Sequence, residues 1–344
     1  MKFTATQGFL FLTSFFVSIA TTALSANTWR STNLPATACD LSETTYEFAS
    51  SAAYREANAF LYMWAIHMLE SQDLDRIEEA FLEIGFRNLR FINPDKKSAQ
   101  VLIADLDSNT HIFIRGTVSA REILLNAMFY QKNTKTVDKL SGRIHRGMLG
   151  NYRGMVSQIE EQLGDIDSFN NRKIYLAGHS LGAAMATMVG TRLEKNGFPV
   201  AGIYNSATPR IGNSTFFRDV ELSIGQKLYH TALERDIVPN VPPAKWNAKV
   251  FSEIVRNEGM QKNLQKTVIG LDYDHIPGQL MVFTPTQAVR SIADSQRISA
   301  ERAYWKSMRS LLEEGSLVEV VTELRKIAVD HSAGSYLCLF KDAN

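Results

Sequence analysis

Lys173-Ile174-Tyr175-Leu176-Ala177-Gly178-His179-Ser180-Leu181-Gly182-Ala183-Ala184-Met185-Ala186-Thr187-Met188-Val189 is the stretch on which the reading of this chain turns. Its first five residues are apolar and β-prone, and its last seven are small or flexible side chains that suit a helix. Between strand and helix stands G-x-S-x-G, residues 178–182. Glycines at 178 and 182 remove the Cβ atoms that would collide as strand and helix pass, which makes a tight, strained serine backbone tolerable. The Ser180 hydroxyl then projects above the sheet, and the helix points its N-terminus at whatever lies over it. The five-residue pattern alone arises by chance in about one chain of this length in ten at average glycine usage. The flanking strand and helix give it weight.

Outward from this turn, strands and helices alternate. Val101-Leu102-Ile103-Ala104-Asp105 and His111-Ile112-Phe113-Ile114-Arg115 are strand-like runs around the turn Asp107-Ser108-Asn109, a hairpin. A helix from about Met148 to Leu163 leads into the strand before Ser180, and strands at Val200 to Ser206 and Gln226 to Thr231 follow it. Helices are expected upstream at Ser51 to Gln72 and Leu74 to Ile84, and downstream at Arg290 to Glu314 and Leu317 to Ala328. The alternation predicts an α/β fold, a mostly parallel central sheet with helices on both faces. No Pro/Gly/Ser-rich linker divides residues 26–344, which read as one domain.

The net charge of +1 comes from 37 basic and 36 acidic residues without a basic run, so nothing points to nucleic acid as a partner. At the N-terminus Lys2 precedes an apolar stretch from Phe9 to Ala20 and the small residues Ala23-Leu24-Ser25-Ala26. This is the pattern of a secretory signal peptide, residues 1–25, cut after Ser25 or Ala26. The rival, a membrane anchor, needs about 20 apolar residues, and serines and threonines break this stretch too early. The mature protein is therefore expected outside the cell or in a periplasm, with no transmembrane anchor. Cys39 and Cys338 are the only two cysteines. In an exported chain they invite a disulfide joining the N-terminal segment to the C-terminal strand or tail, the alternative being two buried thiols.

G-x-S-x-G between a strand and a helix is the nucleophile elbow of the α/β-hydrolase fold. A serine hydroxyl is a poor nucleophile until a histidine takes its proton, and that histidine needs a carboxylate to fix its tautomer. In this fold the chain order is serine, acid, histidine. Only His230, His275 and His331 follow Ser180. Asp236 falls just past the end of the strand containing His230, where catalytic side chains collect in open α/β sheets. His230 itself reads as a core or sheet-face histidine. His67, His111, His145 and His179 read as structural, His145 and His179 in the neighbourhood of the elbow.

With these motifs in hand the chain resembles the class 3 lipases, the family of the secreted fungal triacylglycerol lipases. Ile112-Phe113-Ile114-Arg115-Gly116-Thr117 is similar to that family's strand ending in F-R-G-T/S, and Ile144-His145-Arg146-Gly147-Met148 to its H-x-G-F element. Gly178 to Ala184 resembles its elbow, Pro209-Arg210-Ile211-Gly212-Asn213 its P-R-V-G-N loop, and Asp236 to Pro243 its D-x-V-P-x-x-P-P. The resemblance runs from about Val101 to Pro243. It implies Ser180 as nucleophile, Asp236 as acid, and the backbone N–H groups of Thr117 and Leu181 as oxyanion donors. Val329-Asp330-His331-Ser332-Ala333-Gly334-Ser335-Tyr336 resembles the segment carrying the base, and Tyr273-Asp274-His275 a segment whose histidine is structural; His331 is therefore expected to be the base. The segment between Thr117 and Lys132 stands where the family has a helical lid. Ile123, Leu124, Leu125, Met128 and Phe129 are either core or a lid that turns outward on a lipid surface, and the family's tryptophan is absent there.

The expected function is a secreted serine carboxylic-ester hydrolase acting on lipids at a lipid–water interface, a triacylglycerol lipase first, with no cofactor and no metal. A phospholipase A-type enzyme, another esterase or an acyltransferase could use the same site. A catalytically silent lipid- or protein-binding relative is the reading of a different class. Acyl-chain preference and oligomeric state stay open.

Overall fold

A computed structural model describes residues 39, 41, 47–71, 73–92, 100–116, 130–169, 171–234, 236–253, 258–275, 278–283, 288–290, 294–316, 319, 322, 323, 326 and 329–342. The expected signal peptide, the segment from Thr117 to Phe129 and most of the helix expected over Leu317 to Ala328 lie outside them. In chain order the elements are α1 (Glu56–Leu69), α2 (Leu74–Ile84), β1 (Arg87–Ile92), β2 (Gln100–Leu106), β3 (Asn109–Arg115), β4 (Gln131–Asn133), β5 (Arg143–His145) and α3 (Arg146–Leu163). Then come β6 (Ile174–His179), α4 (Leu181–Lys195), β7 (Val200–Ser206), α5 (Ser214–Ile224), β8 (Leu228–Leu233), α6 (Ala248–Ser252) and α7 (Glu258–Leu271). The chain closes with β9 (Gln279–Phe283), β10 (Ala288–Arg290), α8 (Asp294–Glu314) and α9 (Ala333–Asp342).

Eight strands form one sheet in the order β1-β2-β3-β6-β7-β8-β9-β10. Neighbours from β3 to β9 are parallel, and both margins are antiparallel. β4 and β5 make a separate antiparallel ribbon. The β2–β3 hairpin closes in two residues, Asp107 (φ 49) and Ser108 (φ 62), whose left-handed conformations match the twist of the paired strands.

Side chains alternate across the sheet with period two. One face carries Val101, Ile103, Ile112, Ile114, Ile174 and Leu176 against α3, α4 and α5. The other carries Leu102, Ala104, Phe113, Tyr175 and Ala177 against α1, α2 and α9. The fold agrees with the expected α/β class, and several boundaries differ for physical reasons. Residues 51–55 are not helical: Tyr175 and Tyr229 hydroxyls donate to the carbonyls of Ser51 (3.3 Å) and Ala52 (2.8 Å), and Arg55 N–H donates to Tyr204 Oη (3.2 Å). These side-chain bonds tie the segment down until α1 begins. Arg290 ends a strand, so the helix expected from it starts at Asp294. Cys338 lies on α9 rather than on a strand or tail, and it is disulfide-bonded to Cys39. Among the described residues no helix is long and apolar enough to cross a membrane.

Candidate active site

Ser180 stands between β6 and α4 with φ 57 and ψ −126, a backbone conformation that costs on the order of 1–3 kcal/mol. The surroundings over-determine it. Ser180 N–H donates to Ser206 O on β7 (3.0 Å), while its own carbonyl accepts from Ala183 N–H (3.0 Å). A Cβ on Gly178 would run into the backbone of Gly182, and one on Gly182 would run into the carbonyl of Ile114 on β3. The two glycines let strand, turn and helix touch, and that contact fixes where the serine hydroxyl points.

His331 follows the described residues Val329 and Asp330 and precedes α9. Ser332 Oγ accepts from Ser335 N–H (3.1 Å), and Ser335 Oγ donates to Val329 O (2.7 Å), so the bend is held on both sides of the histidine. His331 Nε2 lies 2.9 Å from Ser180 Oγ, and its Nδ1 lies 2.8 Å from Asp236 Oδ2. A carboxylate only accepts, so Nδ1 carries the proton and the Nε2 lone pair faces the serine hydroxyl. Asp236 is 1% exposed and fully used: Oδ1 accepts from Val238 N–H (2.9 Å), and Oδ2 accepts from Tyr336 Oη as well (2.8 Å). Tyr336 in turn accepts from Leu233 N–H at the end of β8 (2.9 Å). Tyr336 is the functional neighbour the sequence reading missed. It closes the segment around His331 that carries the resemblance, but that segment gave it no role.

Leu181 opens α4, and the first N–H groups of a helix have no intrahelical acceptor. Gly116 lies against this end, where an added Cβ would be 3.4 Å from Gly182 N and 3.5 Å from Leu181 Cβ. Thr117, the other expected oxyanion donor, and the lid segment Ile123 to Phe129 lie outside the described residues.

The other histidines stand elsewhere in the fold or serve other contacts. His275 faces Trp246 with ring centroids 4.8 Å apart and has Nδ1 3.4 Å from Arg210 Nη2, beside the buried Arg210–Glu301 ion pair of 2.7 Å. His230 sits on β8 with Nδ1 3.2 Å from Thr208 Oγ1. His145 caps α3, accepting from Gly147 N–H, and burial pushes its pKa down to about 4. His111 meets Tyr62 Oη at 3.1 Å, and burial takes its pKa to about 3. His67 pairs with Glu70 at 3.5 Å. His179 is buried beside His331, their ring centroids 4.9 Å apart.

Comparison with known proteins follows the same lines. The family described as Lipase (class 3) matches residues 111–246. The Lipase of Rhizopus niveus is 32% identical over 151 residues, covering 42% of this chain and 37% of that protein. The Secreted mono- and diacylglycerol lipase 1 of Fusarium solani is 32% identical over 134 residues, covering 38% of this chain and 39% of that protein. The chain thus spans under two fifths of the length of these curated relatives. The structure described as the Rhizomucor miehei lipase propeptide complex covers 91% of this chain and 92% of its own at a TM-score of 0.52 and 19% identity, a likeness of fold.

Proposed function

We propose that this protein is a serine carboxylic-ester hydrolase acting on acylglycerols, triacylglycerol first, outside the cell, a reading supported by the match of residues 111–246 to the class 3 lipase family. The observation that carries the reading is the unbroken line from Ser180 Oγ through the His331 ring to Asp236, with links of 2.9 and 2.8 Å. Ser180 attacks the acyl carbonyl while His331 Nε2 takes its proton. Asp236 holds the tautomer and stabilises the imidazolium that forms. The Leu181 N–H, with that of Thr117, receives the charge that develops on the carbonyl oxygen, where one such donor is worth about 3–4 kcal/mol of barrier. His331 then gives the proton to the leaving alcohol, and water clears the acyl-enzyme by the same steps in reverse.

Long-chain triacylglycerol, monoacylglycerol and phospholipid should be assayed side by side, with Ser180→Ala as the blank. Release of fatty acid from acylglycerol by the wild type, falling by about 10⁴-fold or more in Ser180→Ala and His331→Ala, is expected. His275→Ala should keep measurable activity. Faster turnover of phospholipid would move the substrate class, loss of activity only in His275→Ala would move the base, and a Ser180 that a fluorophosphonate leaves unlabelled would leave a silent binding protein.

A further inference from the structure

The two hydrogen bonds of His331 fix two edge atoms of its ring, and a plane held at two points can still tilt about the line joining them. His331 is also 14% exposed on a bend rather than locked inside an element. Something must set the tilt. The ring of His179 lies over that of His331 at 4.9 Å with 32° between planes, and Tyr336 meets His179 edge-on at 5.5 Å and 64°. Tyr336 is bonded to the Asp236 oxygen that also receives His331. Four side chains thus close a circuit: His331, Asp236, Tyr336, His179 and back to His331. His179 is 6% exposed, and its Nε2 makes no hydrogen bond among the described residues. Its ring also shares a hydrogen bond with the backbone of His331, so it meets that residue by a ring face and by this bond.

We infer that His179 is a positioning residue for the base: wedged between Tyr336 and His331, it sets the plane in which His331 meets Ser180. The inference rests on the reading of Ser180, His331 and Asp236 given above. Neutrality belongs to the design. Burial first, and the charge of His331 second, lower the His179 pKa to about 4 against the opposing pull of Glu70 and Asp236. At neutral pH the wedge is uncharged and does not repel the imidazolium that His331 becomes during proton transfer.

The test compares His179→Ala, His179→Leu and His179→Phe in the full chain on a soluble short-chain p-nitrophenyl ester. Loss of the flat face should cut kcat about tenfold to a hundredfold in the Ala and Leu variants with KM little changed, because a misplacement of about 1 Å costs on that scale. Phenylalanine, which restores the face without the hydrogen bond to the His331 backbone, should restore part of the rate. The downfield proton resonance of His331 Nδ1, bonded to Asp236, should be sharp in the wild type and His179→Phe and broadened in the other two. Wild-type kcat in His179→Ala overturns the inference, and so does a folded His179→Phe as slow as His179→Ala. If the wild type hydrolyses no ester, the functional reading fails, and the resonance still decides the role of His179.

Discussion

The two faces of the central sheet are built from different materials. Under α3 and α4 the filling is mainly aliphatic, with Ile112, Ile114, Leu176, Met185, Met188 and Val189 among it. Under α1 and α9 it is aromatic, with Tyr62, Trp64, Phe113, Tyr175, Tyr204 and Tyr336. Small and aliphatic side chains let α4 settle until Gly182 meets the β3 backbone, and direct backbone contact locates Ser180. On the aromatic face tyrosine hydroxyls reach chain that has no regular structure: residues 51–55 on one side, Asp236 on the other. One face places Ser180 by steric exclusion. The other places Asp236 and His331 by ring faces and phenol groups.

This contrast can be broken, and the largest expected effect is on the aromatic face. Cys39 and Cys338 are 299 residues apart, and the double change to serine should cost about 6 kcal/mol in the chain-entropy account. Hydrogen exchange is the decisive measurement: α9 and residues 47–58 should lose protection while β6 and α4 keep theirs. Equal loss on both faces would show that the faces do not stand independently. Next comes Gly182→Ala, which should lower the unfolding free energy by about 3 kcal/mol or more, since backbone must move to admit one methyl group. Gly154→Ala on α3, where a Cβ meets nothing within 4 Å, should instead gain about 0.5–1 kcal/mol. Urea midpoints compare the two, and a mild Gly182→Ala would refute steric placement of the serine.

The smallest effect lies at the edge of the aliphatic face. Asp138 accepts from Arg153 at 2.8 and 2.6 Å and from Lys135 N–H at 2.7 Å, and the Arg153 guanidinium holds its carboxyl below the ordinary value. Asp138→Asn should cost about 1 kcal/mol at pH 7, because Arg153 stays partly in water. A carboxyl depressed in the folded state stabilises above its unfolded pKa of about 3.9, and the contribution is lost as pH falls through the folded value. The gap between wild type and variant should close over that acid window. A gap that persists below it would assign the cost to shape rather than charge.

The elbow was legible because its cause is local: two glycines, a serine and the elements either side carry the whole steric argument. Asp236 was legible from its place past a strand end. His331 needed the family resemblance, since nothing in Asp330-His331-Ser332 alone separates it from Asp274-His275. α5 is absent from the expected elements although Asn213 caps it and Phe216, Phe217, Val220 and Ile224 keep helical spacing. Its Pro/Gly-rich approach hid it. β1 lacks a clean alternation, with arginines three apart at 87 and 90 and a left-handed Asn88 interrupting its register. The partnership of His179 and Tyr336 was illegible for another reason. Ring contacts between residues 157 apart in numbering depend on how α9 docks across the aromatic face, and no window of sequence contains that docking.

The chain order of the site has a consequence for its birth. Ser180 and its elbow are made 151 residues before His331, and Asp236 is made 95 before it. As the chain emerges, strand, turn and helix can assemble around a serine that has no base. The hydrogen-bonded line closes only when residues 329–342 have arrived and lain down on the aromatic face. Completion of the line is thus timed by the docking of this last segment, and a chain interrupted before it carries a shaped serine without its hydrogen-bonded partner.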